Sequence, residues 1–229
     1  NPQEDALLRA INEKRNDDPL IGAKIGGREI TQRLIAALKN EHGVHIETLL
    51  ACIGSLGGYA CHMAIRDAIV EPGKAKENEV FRVVGGADGR NYYFGDMVNK
   101  PLAEDEVSFW SLVGGMAQHI DKDGLPDIHG IFQHVSSTVG GEGFGIPQMP
   151  DAHRPSDLPI NLVKSLWPAL LPLVDKFCES PVERPYLFGF SAQEVIEMGQ
   201  EAIAPGIAAK LLMECAVPMS KIGPEWLAD

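Results

Sequence analysis

Positive charge is scarce in this chain: 20 Lys and Arg stand against 32 Asp and Glu, a net charge of −12 over 229 residues. A surface this acidic repels phosphates at long range, so neither nucleic acid nor an anionic membrane is expected as a partner. The imbalance is uneven. Residues 1–40 carry seven basic and six acidic residues, and everything after them is strongly acidic. Cysteine is sparse too. Cys52, Cys61, Cys178 and Cys215 form no CxxC pair, which excludes a disulfide scaffold. Each falls in an apolar helical pattern, which predicts four buried, reduced thiols and a cytoplasmic protein. Long hydrophobic runs are absent as well. Thr48–Ile65 comes nearest, with no Asp, Glu, Lys or Arg, but it holds Ser55, Tyr59, His62 and three glycines. That composition predicts a buried helix rather than a membrane span.

What the chain does have is helical periodicity and enough apolar residues, 45%, to bury a core. The patterns predict helices over 4–15, 28–41 (after Gly26-Gly27), 46–70, from Glu104 to about 120, and 126–139. In the last third, Val163, Leu166, Trp167, Leu170, Val174 and Phe177 form one stripe. Pro168 and Pro172 fall on the opposite, outer face, where the carbonyls they free can meet water. Ser191 and Glu194 read as a capping box, and Pro205 as the first residue of a final helix. A single β signal interrupts this. Val80–Val84 alternates, Tyr92–Phe94 is aromatic, and Asp88-Gly89 supplies a turn. The expected fold is therefore mainly α, about eight helices around one core with a single β-hairpin near 80–95. One helical domain spans 1–229, with 1–139 and 159–229 as conceivable lobes joined by the unpatterned segment 140–158.

The third helix carries the candidate site. At about 100° per residue, Thr48, Cys52, Ser55, Tyr59, His62 and Arg66 fall on one narrow stripe. Two readings compete. The stripe is a thin strip of surface on an otherwise buried helix, or it is the floor of a pocket. In the second reading Ser55, Tyr59, His62 and Arg66 bind a small anionic molecule, with the Arg66 cation lowering the His62 pKa. Gly54, Gly57 and Gly58 make a small-residue face that lets another backbone approach closely.

Catalytic and metal signatures are missing. Gly54-Ser-Leu-Gly57 lacks the first glycine of GxSxG and lies within a helix. His129 and His134 are five residues apart and do not share a helix face; HExxH is absent. His119, His134, Glu142 and His153 meet only if the 140–158 segment folds them together. Gly140–Gly145 is glycine-rich, but it follows a helix and lacks the Lys-Ser/Thr ending of a phosphate loop. No metal and no cofactor are expected. The first functional expectation is a cytoplasmic homo-oligomer acting through association, helped by the glycine face and by Phe144, Ile146 and Met149 in the 140–158 segment. The alternative is an enzyme or binding protein for a small anionic molecule, built on the stripe.

Overall fold

A computed structural model describes residues 2–228. Helix dominates, with one two-stranded antiparallel sheet, so the mainly α expectation holds. In chain order the elements are α1 (Pro2–Lys14), α2 (Ile21–Leu38), α3 (Ile46–Ile65), α4 (Glu77–Val80), β1 (Arg82–Gly85) and β2 (Asn91–Phe94). There follow α5 (Asp96–Asn99), α6 (Phe109–Ile120), α7 (Ile128–Thr138), α8 (Pro159–Phe177), α9 (Arg184–Gly199), α10 (Pro205–Met219) and α11 (Glu225–Ala228). α4, α5 and α11 are single turns; the other eight are the long helices that the periodicity predicts.

α3 is the axis of the molecule. Apolar or small residues cover nearly its whole circumference, so it must be surrounded, and α8, α9 and α10 pack around it. The glycine face decides how close they come. A Cβ at Gly54 would stand 2.5 Å from the Leu212 carbonyl oxygen, and one at Gly58 would run into the carbonyl of Ala216. α10 therefore lies backbone to backbone on α3. Gly57 receives the Phe109 ring of α6 in the same way. The small-residue face is thus spent inside this chain. Among the described residues, Ile46–Val70 is the one segment long and apolar enough to cross a membrane, and its neighbours bury 94% of its most apolar window.

Three local expectations are corrected. α2 begins at Ile21, not after Gly27. Gly22, Gly26 and Gly27 lie inside it because α9 and the end of α8 press against them: a Cβ at Gly27 would stand 2.8 Å from the Leu187 carbonyl oxygen. Ser191 is no cap. It sits buried within α9, its Oγ 2.8 Å from the Thr31 Oγ1 of α2, where the two hydroxyls satisfy each other. α6 starts after the acidic triplet. Ser108 caps it, accepting from the Ser111 N–H at 3.1 Å while the Ser111 Oγ accepts from the Ser108 N–H at 2.9 Å. Two other expectations are met. Pro168 and Pro172 lie on the exposed side of α8 while Val163, Trp167, Leu170 and Val174 are buried. Pro205 opens α10.

After Ile65 the chain takes a π-helical turn, Arg66–Val70. It turns Asp67 toward Arg184, which also donates to Asp175 at 2.8 Å, so one guanidinium ties this turn to α8 and α9. The hairpin pairs Arg82 with Phe94 and Val83 with Tyr93. Its β2 side is covered: the Tyr93 N–H donates to the Lys221 carbonyl at 2.8 Å. Tyr92 and Tyr93 are buried, whereas every residue of β1 is exposed.

Candidate functional site

The stripe of α3 assembles as the periodicity predicts, but it is buried rather than surface. Ser55 and His62 are fully buried, Tyr59 is 1% and Arg66 7% exposed. The surface reading fails because α8, the hairpin and α10 cover the very face on which the polar groups lie. Each group is then satisfied, or stacked, within the core. The Ser55 hydroxyl donates back to the Ala51 carbonyl at 2.6 Å. Tyr59 meets the Trp167 ring edge-on at 5.0 Å between centres. His62 stacks on Phe81 at 4.8 Å and meets Tyr93 edge-on at 5.0 Å. Its Nε2 accepts from Arg66 Nε at 3.3 Å, which leaves the ring proton on Nδ1, with the Ser220 backbone beside the ring. Arg66 donates to Glu77 at 2.8 Å and lies 5.5 Å and 5.3 Å from the ring centres of Phe81 and Tyr93.

Burial first, and the Arg66 cation second, push the His62 pKa down to about 3. Burial also pushes the Tyr59 hydroxyl upward. A neutral imidazole beside a fixed guanidinium is the expected pairing. What is missing is access, since Arg66 already holds Glu77 and none of the clefts described below is lined by Ser55, Tyr59, His62 or Arg66. The upper end of the stripe closes over differently. Thr48 bonds His45 at 2.7 Å and Ser156 at 2.9 Å.

His45 and His153 both meet Glu47, at 3.2 Å and 3.0 Å, but His119, His134, Glu142 and His153 form no common cluster among the described residues. His134 bonds the buried Glu214 of α10 at 3.0 Å, and Glu214 also accepts from the Gln148 N–H at 3.0 Å. His153 bonds Glu47 at 3.0 Å. These pairs pin the 140–158 segment to the body; no metal-holding group of three occurs among the described residues. All four cysteines are free thiols, three buried and Cys178 partly so. Burial pushes Cys52 and Cys178 up to about 12, which makes them inert.

An open, aromatic-lined cleft lies elsewhere, between the hairpin turn and the start of the 140–158 segment. Tyr92, Phe144 and Trp226 surround a cleft of about 500 Å³, floored by Ile160 and Met219 and rimmed by Asp88, Arg90 and Glu142. Ring centres lie 4.7 Å apart for Tyr92–Phe144, 5.3 Å for Tyr92–Trp226 and 5.8 Å for Phe144–Trp226. The Tyr92 hydroxyl donates to Asp88 at 2.7 Å, and the Trp226 indole N–H donates to the Asn91 carbonyl at 2.9 Å, so both rings are fixed at their polar ends. The Arg90 guanidinium sits 4.4 Å over the Trp226 ring. Burial works to raise the Asp88 carboxyl, but the Tyr92 hydroxyl and the Arg90 N–H outweigh it, leaving the pKa below its ordinary value. Burial and Asp88 push Tyr92 up to about 12.

Glycine explains the position of this cleft. Gly140 has φ +74°, and a Cβ there would stand 2.8 Å from the Ala87 nitrogen, so the hairpin turn and the end of α7 meet backbone to backbone. Gly140–Gly145 is thus a point of close backbone approach, not a phosphate cradle. Phe144 is drawn down onto Tyr92 and Trp226 and is half-buried; Met149 is buried and Ile146 remains exposed. Sequence reasoning missed this site because its aromatics come from three distant segments with no common period. Comparison with family models, with curated proteins and with solved structures finds no match for this chain.

Proposed function

We propose that the protein binds a small, planar, largely apolar molecule bearing a basic nitrogen, in the cleft of Tyr92, Phe144 and Trp226. The observation that carries this reading is the cleft itself: three mutually packed rings, two of them fixed at their polar ends, line an open cleft of about 500 Å³, within the size range of ligand sites. Its chemistry favours a cation on balance, with two carboxylates, Asp88 and Glu142, against one guanidinium. Arg90 over Trp226 illustrates that a positive group rests well on this wall. The small anion expected on the α3 stripe loses its support, because Arg66 is engaged by Glu77 beneath the hairpin.

The test is a calorimetric titration with tryptamine, indole and indole-3-propionate, which share a ring and differ in charge. Binding in the order tryptamine, then indole, then the carboxylate supports the reading, and Glu142→Gln should narrow the gap between the first two. No binding by any of the three, or tightest binding by the carboxylate, overturns it.

Association between copies of the chain keeps one specific support. Tyr93 turns its N–H outward to Lys221, so its partner Val83 turns its own N–H and C=O outward on the other side, where no backbone group among the described residues meets them. β1 is thus an open edge with Val83 and Val84 exposed, the kind of edge that pairs with a second strand. Sedimentation of the wild type and of Val83→Pro decides this: a dimer lost in the variant supports it, and a monomeric wild type removes it. Four free thiols support a reducing compartment, the cytoplasm.

A further inference from the structure

Lys221 follows α10 and is 3% exposed. Its Nζ donates to Asn99 Oδ1 at 2.8 Å and lies 5.6 Å and 5.9 Å from the ring centres of Phe94 and Phe132. No carboxylate stands within ion-pair distance of it among the described residues. One neutral acceptor and two ring faces replace the hydration of an ammonium poorly. Arg66, by contrast, has Glu77, and Arg184 has Asp67 and Asp175. Among the described residues Lys221 is therefore a buried cation with no carboxylate partner.

Asn99 and Phe132 also line a cleft of about 290 Å³, together with Glu104, Trp110 and His129. The amine thus stands one side chain behind an opening, with a carboxylate and an imidazole at the mouth. We propose that Lys221 is the reactive amine of a second site, condensing with a small uncharged aldehyde or ketone admitted through this cleft. The volume suits a molecule of a few carbons, and Glu104 at the mouth disfavours an anion.

The chemistry balances without any further reagent. The Nζ lone pair attacks the carbonyl carbon and the C=O π pair moves to oxygen. Both amine hydrogens pass to that oxygen, which leaves as water, and a C=N bond remains. Such attack needs a neutral amine. Burial lowers the Lys221 pKa from 10.5 to about 8, with the Glu104 carboxylate pulling the other way, so a useful fraction is neutral near pH 7.5. The facing groups on neighbouring elements do not compete for the proton, since burial keeps the Cys61 thiol protonated and His62 neutral.

The proposal is independent of the aromatic cleft. It is tested by treating the native protein with butyraldehyde and cyanoborohydride, which reduces the imine to a stable secondary amine, and mapping the adducts by peptide mass spectrometry. Lys221 should react roughly ten-fold or more faster than any other lysine, as the lower pKa leaves far more free amine at pH 7.5. Its rate should rise with a midpoint near pH 8. Lys221→Met should lose the fast adduct and keep the helical circular dichroism; the pH profile of the wild type stands by itself if that variant does not fold. A Lys221 that reacts no faster than surface lysines, or only after unfolding in urea, overturns the proposal.

Discussion

His62 on α3 and Asp88 on the hairpin turn both sit among aromatic rings, and both hold a polar neighbour in place. His62 accepts from Arg66 under Phe81 and Tyr93 and is fully buried. Asp88 accepts from Tyr92 at the rim of about 500 Å³ of open space. The difference comes from the backbones around them. Along α3, Gly54 and Gly58 let α10 close in until no room is left. At the hairpin, the glycine contact is between two turns, Gly86 and Gly140, and turns that touch at one point diverge on either side of it. Close approach of two helices seals a polar group; close approach of two turns leaves a cleft beside it.

The largest expected effect breaks the sealed side. Gly58→Leu should abolish folding or cost ~3 kcal/mol or more, because the Ala216 carbonyl occupies the space its side chain needs. Chemical denaturation reads this directly, and wild-type stability in the variant would remove α10 from α3.

Acid should act on the same side. The folded His62 pKa, about 3, lies below its ordinary 6.5, so the unfolded chain binds the extra proton between those values. Stability from this group is complete above pH 6.5 and is lost as pH falls toward 3, by about 1.4 kcal/mol per pH unit. Denaturation midpoints from pH 7 to pH 4 should show that slope, and His62→Gln should flatten it by one proton.

Lys221 carries the opposite sign of advantage. Its ammonium is a burden in the fold below pH 8, so Lys221→Met should raise stability at pH 7 by about 1–3 kcal/mol. The gain should shrink between pH 8 and 10.5, where only the unfolded lysine still holds its proton. Thermal melts at pH 7 and pH 10 measure both.

The smallest effect sharpens the open side. Glu142 is exposed, so Glu142→Gln should change stability by less than ~0.5 kcal/mol while weakening tryptamine binding. A variant that melts and binds like the wild type would leave the acidic rim without a role.

Much of this arrangement is legible in the sequence. The eight long helices follow from apolar spacing, the hairpin from alternation around Asp88-Gly89, and the common face of Ser55, Tyr59, His62 and Arg66 from helical geometry alone. What spacing along one helix cannot carry is which neighbour covers that face; α8 and the hairpin arrive from sequence positions far away. The misplaced start of α2 has a similar cause, since Gly26 and Gly27 read as a break until α9 is found lying on them. Ser191 looks like a cap for the same reason, its partner Thr31 being 160 residues distant. The cleft was hidden because Tyr92, Phe144 and Trp226 share no periodicity.

A two-dimensional NMR experiment on aromatic and histidine side chains, with and without tryptamine, compares the two regions at once. The account predicts that the Tyr92, Phe144 and Trp226 resonances move with a common saturation curve while Tyr59 and His62 stay still. Movement at Tyr59 and His62 with the three cleft rings silent would contradict it.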